Sequence, residues 1–213
     1  MTEQVKKAVD FDELKKFVAN HGEDYKALLA RFVDGDDTLT LDELKTVYYG
    51  SPFAGCKMDR EVLALADYHM RYKDYKMAYY LYVDALVKNP VSTMLLKKAY
   101  NCTYLGAFDK AEGQKLLAKR NMMSRAIEST GDGASAQTAM QVVATEDEYQ
   151  YLYNTVHVKD VMSQSVAASK GAAVVDDMAV AVLGEKDARH YFFECYGETE
   201  ADMKDFFERK KGF

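Results

Sequence analysis

Tyr75-Lys76-Met77-Ala78-Tyr79-Tyr80-Leu81-Tyr82-Val83-Asp84-Ala85-Leu86-Val87-Lys88-Asn89-Pro90 is the stretch on which the reading of this chain turns. Met77, Ala78, Leu81, Tyr82 and Ala85 recur at three- and four-residue intervals, the spacing of one helix face, and Pro90 stops the pattern. Phe108, Ala111 and Ala118 repeat Tyr75, Ala78 and Ala85 at a distance of 33 residues. Small residues recurring on one helix face let a neighbouring helix approach closely. The echo therefore predicts paired, stacked helices across the middle of the chain.

Toward the N-terminus the same period continues. Phe11, Leu14, Phe17 and Val18 form a stripe ending near Asn20-His21-Gly22, and Tyr25, Leu28, Leu29 and Phe32 form another ending at Asp34-Gly35. Thr40-Leu41-Asp42-Glu43 is a capping box that should start a third helix, broken by Tyr48-Tyr49-Gly50-Ser51-Pro52. Val62, Leu65, Ala66 and His69 make the face of a helix that turns near Lys73-Asp74 into the opening segment. Ser92 or Thr93 can cap a helix through Leu95, Leu96, Ala99 and Cys102, and a last one runs from Ala111 to Ile127 after the turn Leu105-Gly106-Ala107.

Beyond Gly131-Asp132-Gly133 the period changes. Met140 to Ala144, Tyr149 to Val158, Ala173 to Leu183 and Arg189 to Tyr196 are rich in β-branched and aromatic residues. Glu146-Asp147-Glu148, Ser169-Lys170-Gly171 and Gly184-Glu185-Lys186-Asp187 read as turns, and Val161 to Ala168 as a strand or a loop. The expected fold is α+β: helical hairpins over 1–130, then a small antiparallel meander over 131–213 closed by a helix from Thr199 to Lys211, both halves packed as one unit.

Tyr75, Ala78, Tyr82, Ala85 and Pro90 resemble the second-helix signature of the tetratricopeptide repeat (TPR). Gly106, Phe108, Ala111 and Ala118 match in the next unit. Lys115 stands where an aromatic is expected, Ala66 where glycine is usual and His69 where tyrosine is. The layout, with Tyr48-Tyr49-Gly50 and Gly131-Asp132-Gly133, also resembles a family of uncharacterised bacterial proteins of about 200 residues with TPR-like helices. That resemblance implies an architecture and brings no activity.

Composition narrows the function classes. The net charge is −6, divided as +1 over residues 1–130 and −7 over 131–213. Neither half has the excess of Lys and Arg that a nucleic-acid surface requires. Cys56, Cys102 and Cys195 are widely spaced without a C-x-x-C pair, which argues for small buried hydrophobes rather than a disulfide framework or zinc site. No apolar run approaches a membrane span. Met1 to Lys7 has no signal-peptide core, so the chain as written reads as soluble and cytoplasmic, or as periplasmic or secreted where a signal peptide has been removed.

Four features invite a site. With Glu43 as position 12 of a calcium loop, Asp34 and Asp36 fall at positions 3 and 5. Phe32 then occupies the carboxylate position 1, and Asp37 replaces the glycine of the sharp turn, so a polar turn into the capping box competes with a metal site. Cys195 and His190 suggest a thiolate nucleophile, but five residues apart on one strand they face opposite ways. Tyr68, Tyr72, Tyr75, Tyr79 and Tyr82 would form one aromatic seam on a continuous helix, or split into core across a turn. Gly131-Asp132-Gly133 lacks the phosphate-loop pattern and reads as a glycine helix cap with an Asx turn. Asp176-Asp177 and Glu146-Asp147-Glu148 read as acids facing water.

The expected function is a non-enzymatic module that holds a protein or peptide partner in a concave helical groove built by Val62, Leu65, His69, Leu96, Ala99 and Cys102. No cofactor is called for. The alternatives are glycan binding through exposed tyrosines, which the absence of Trp disfavours, and a hydrolase at the junction of helices and sheet, for which no nucleophile, base and orienting group assemble.

Overall fold

The computed structural model describes residues 7–170 and 173–196. The chain divides into two compact units, one of residues 9–126 and one whose described part is residues 7–8, 127–170 and 173–196. The protein is α+β, with eight α-helices and a four-stranded sheet among the described residues.

The helical unit contains α1 (Phe11–Asn20), α2 (Gly22–Asp34), α3 (Leu41–Gly50), α4 (Arg60–Arg71), α5 (Tyr75–Lys88), α6 (Thr93–Leu105) and α7 (Lys110–Glu128), whose last two residues belong to the second unit. Most of these helices begin on a side chain that accepts an orphan amide: Asp10 from Glu13, Asp59 from Val62, Asp74 from Met77, Ser92 from Leu95 and Asp109 from Glu112. Thr40 and Glu43 form the expected reciprocal box, and Gly35 closes α2 at φ 81°.

Two packed clusters fill this unit. In the first, Tyr25, Phe32, Leu44, Val47, Tyr48 and Tyr49 are buried, with the Tyr25 hydroxyl donating to the Val47 carbonyl at 3.0 Å. In the second, Ala66, Ala78, Ala85 and Ala99 are buried where α5 packs on both α4 and α6. Asp67 on α4 pins the three helices, accepting from the Tyr82 hydroxyl and from Lys98 Nζ at 2.6 Å.

The 33-residue echo does not repeat in environment. Ala78 and Ala85 are buried between neighbours, whereas Ala111 and Ala118 on α7 face solvent. Within the helical unit no further helix follows α7 to cover them.

The second unit holds β1 (Met140–Val142), α8 (Thr145–Tyr151), β2 (Val158–Lys170), β3 (Ala173–Val182) and β4 (Arg189–Tyr196). The sheet order is β1-β4-β3-β2, antiparallel except for β1, which pairs parallel with β4 through Met140–Phe193 and Val142–Cys195. The expected antiparallel meander is therefore corrected to a mixed sheet. Its cause is α8, which removes the chain from the sheet after β1, so that β4 returns along β1 in the same direction.

Tyr149 to Val158, expected as a strand, instead completes α8, continues as a π-turn over Leu152–Val156, and reverses at His157 with φ 61°. Glu146, Asp147 and Glu148 form the first turn of α8, where acids complement the positive end of the helix dipole. Val161 to Ala168 is strand, and the Thr199–Lys211 helix expectation lies outside the described residues. One sheet face carries Met140, Val142, Val174, Asp176, Met178, Phe193 and Cys195, all buried. Tyr151 of α8 meets Phe193 edge-on at 5.9 Å.

The glycine-cap reading of Gly131 is also corrected. Thr130 closes α7, its amide and hydroxyl both donating to the Ile127 carbonyl, while the hydroxyl accepts the Gln141 amide at 2.9 Å. Gly131 is required by proximity instead, because a Cβ there would collide with the Thr138 and Ala139 carbonyl oxygens. The Asx turn is present, with the Ala134 amide donating to Asp132 Oδ1 at 2.9 Å.

Candidate functional site

At one end of the helical unit, where α6 turns into α7, lies an open cleft of about 510 Å³ lined by Tyr100, Thr103, Tyr104, Lys110, Gly113 and Gln114. The turn holds two non-glycine residues in the left-handed region, Ala107 at φ 52° and Asp109 at φ 42°, and Asp109 then caps α7. Gly113 lets the helices close on one another, since a Cβ would strike the Thr103 hydroxyl. Tyr100 and Tyr104, one turn apart on α6, lie with ring planes 24° apart and centroids 6.3 Å apart. Tyr104 is 72% exposed, and Lys97 Nζ lies 5.1 Å from the Tyr100 ring centroid. Large tyrosine faces with polar rims are well suited to holding another polymer.

The groove residues read from the sequence do not form one open face. Leu65 is half exposed, Val62 and His69 are partly buried, and His69 Nδ1 lies 3.1 Å from Asp74 Oδ2. Leu96, Ala99 and Cys102 are buried, with Cys102 Sγ 3.7 Å from Met70 Sδ on α4 and its thiol pushed up to about 11 by burial. These three are core, covered by the protein's own helices. The helical period was right, but stacking of α4 and α5 against α6 claimed the face assigned to a ligand.

Between Asp36 and Glu43 the structure places Arg31, at 2.7 Å from Asp36 Oδ2 and 2.6 Å from Glu43 Oε1. The Thr38 hydroxyl, and next to it Arg31, hold the Asp36 carboxyl down at about 2. Asp34 is exposed, and among the described residues no group of three or more His, Cys, Asp or Glu could hold a metal ion. The tyrosine seam splits at Lys73-Asp74: Tyr68 and Tyr72 are exposed and tilted by 44°, while Tyr82 is buried. Cys195 is buried, and His190, exposed, lies with Nδ1 2.7 Å from Asp177 Oδ1.

Two acids read as facing water are fully buried. Glu148 on α8 and Asp176 on β3 both accept from Gln164 Nε2, at 3.3 and 2.8 Å, and the Tyr149 hydroxyl donates to Gln164 Oε1 at 2.6 Å. Burial, then Glu148 and Asp176, pushes Tyr149 up to about 12. The signal was present in Val174-Val175-Asp176-Asp177-Met178, since adjacent acids in an apolar strand must send one side chain inward. Neither carboxylate has accessible area, so this pair cannot meet a substrate as it stands. It is a structural polar core.

Among the described residues no helix is long and apolar enough to cross a membrane. A family model described as a domain of unknown function, DUF4919, matches residues 12–192, from α1 into β4. The chain belongs to that family. Its span takes in elements of both units, and its description assigns no function. No curated protein and no solved structure matches the chain.

Proposed function

We propose that this protein is a non-enzymatic binding module in which a TPR-like helical stack holds an extended polypeptide segment at the α6–α7 cleft. The observation that carries this reading is the Tyr100–Tyr104 pair, Tyr104 exposed and Tyr100 half-buried, lining an open cleft together with Lys110 and Gln114. Aromatic anchors of this kind concentrate binding energy in a few residues. The buried state of Glu148, Asp176 and Cys195 speaks against an enzyme built on those groups.

The test is selection of peptides from a displayed random dodecapeptide library on the full chain, followed by affinity measurement on Tyr104→Ala. Loss of about tenfold, roughly 1.4 kcal/mol, is expected. Peptides indifferent to Tyr104 would remove the cleft from the reading. The near-parallel rings also favour a second reading, glycan stacking; binding on a glycan array that Tyr104→Ala abolishes, without cleft-dependent peptides, would move the function there.

A further inference from the structure

Short turns join α4 to α5 and α6 to α7, and both lie at one end of the helical unit. Met70 in the last turn of α4 places Sδ 3.7 Å from Cys102 Sγ in the last turn of α6. Near the start of α5, Tyr79 meets Phe108 of the α6–α7 turn edge-on at 5.4 Å. The turns pivot on Lys73 at φ 62° and Ala107 at φ 52°. Bulky side chains beside the pivots stand in solvent: Tyr72 is 71% exposed, Tyr104 72% and Leu105 50%. The opposite end differs, since Val91 and Met94 of the α5–α6 turn are buried and Lys88 pairs with Asp59 at 2.6 Å.

Arg71, Lys73, Lys76 and Lys110 belong to the same two turns. All four are exposed, and none makes an ion pair or side-chain hydrogen bond among the described residues. The acids of these turns are engaged with the helices they start. Asp74 accepts the Met77 amide and lies 3.1 Å from His69 Nδ1, and Asp109 accepts the Glu112 amide. A capping carboxylate faces the positive end of its own helix, which balances part of its charge. In a chain of net charge −6, this end therefore joins exposed aromatic and aliphatic side chains to an excess of unpaired cations.

We propose that this end of the helical unit docks on an anionic lipid surface. Tyr72, Tyr104 and Leu105 enter the headgroup layer, where a tyrosine ring keeps its hydroxyl wet and its body apolar. The lysine and arginine stems lie along that layer while their charges meet the acidic headgroups. A plane can meet both turns at once. A peptide in the α6–α7 cleft leaves Arg71, Tyr72 and Lys73 unused, because none of them lines it. Tyr104 and Lys110 do line the cleft, so the decisive variants are placed at the α4–α5 turn, and lipid docking and the cleft reading can fail separately.

The test is sedimentation of the full chain with vesicles of phosphatidylcholine alone, or of equal parts phosphatidylcholine and phosphatidylserine. Pelleting with the mixed vesicles only, weakening as NaCl is raised, is expected. Arg71→Gln combined with Lys73→Gln should lower the partition coefficient about tenfold. Lys57→Gln combined with Arg60→Gln, the same charge change in the segment leading into α4, should lower it less than about twofold. No pelleting with mixed vesicles at low salt, or equal losses in the two variants, overturns the proposal. Because the chain has no Trp, Tyr72→Trp supplies a single reporter whose fluorescence should shift to shorter wavelength on mixed vesicles. Pelleting without that shift overturns the assignment of this end. Polyglutamate that binds the parent and is lost in Arg71→Gln with Lys73→Gln, while vesicles are ignored, assigns the end to an acidic polypeptide and overturns the lipid.

Discussion

In the helical unit polar side chains stand at helix starts, where Asp10, Thr40, Asp59 and Asp74 receive backbone amides near the surface. In the sheet unit Glu148 and Asp176 are carried into an apolar interior and meet at Gln164. A capping residue works within one turn of chain, so its effect is local and small. A buried carboxylate depends on a donor supplied by a distant strand, so its effect is tertiary and large. The two units should therefore answer substitution of a polar group very differently.

The largest expected effect is Gln164→Leu. It removes the amide donor that Glu148 and Asp176 share, and should destabilise the sheet unit by about 3 kcal/mol. Urea unfolding followed by far-UV circular dichroism measures it. A loss below about 1 kcal/mol would show that other donors carry the two acids, and the contrast between the units would weaken.

Next comes a pair within the helical unit. Ala78→Leu places a large side chain where α5 is enclosed by its neighbours, and should cost about 2 kcal/mol. Ala111→Leu, its counterpart 33 residues on, points to solvent and should stay within about 0.5 kcal/mol. Equal costs would mean that the sequence echo is an echo of packing after all.

The same contrast explains what could be read in advance. The helices from Phe11 to Glu128 were legible because their signals are short-range: periodic apolar faces, Ser, Thr and Asp at starts, and Gly35 at a stop. Strand β4 was legible from Arg189 to Tyr196 for the same reason. The parallel pairing of β1 and the inward turn of Asp176 were not, because each depends on a partner on another element, Phe193 for Met140 and Gln164 for Asp176. The groove residues failed in between. Leu96, Ala99 and Cys102 were correctly placed on one helix face, but periodicity cannot say whether that face meets a partner or the protein itself. The α6–α7 cleft left no motif at all, since it is made by a strained turn, one glycine and two tyrosines a turn apart.

A local test of intermediate size is Thr40→Ala. It removes one half of the capping box of α3 and should cost about 1 kcal/mol, with Thr40→Ser retaining most of the stability. Urea midpoints of the three chains give the comparison. A cost near 3 kcal/mol would make the cap as consequential as the buried acids and erase the distinction between the units.

The smallest effect is a pH dependence in the α2–α3 turn. Asp36 accepts from the Thr38 hydroxyl at 2.6 Å and amide at 2.9 Å and pairs with Arg31, which together hold its carboxyl at about 2. A folded-state value below the unfolded one means that the ionised form favours folding. The contribution is complete above the unfolded value of about 4 and disappears as pH falls toward 2. Glu43 moves in the same direction, through the Thr40 amide and hydroxyl and then Arg31, and adds to the same acid limb. Asp36→Asn should therefore flatten the pH dependence of stability between about 4 and 2, by lowering stability near neutrality a little and leaving it unchanged near pH 2; the loss is small because the site is open to solvent and screened. Arg31→Gln should flatten it only in part, since the Thr38 and Thr40 hydrogen bonds that come first for Asp36 and Glu43 stay in place. An unchanged acid limb in both variants would mean that acid unfolding is governed elsewhere, and the buried Glu148–Gln164–Asp176 cluster of the sheet unit would be the place to look.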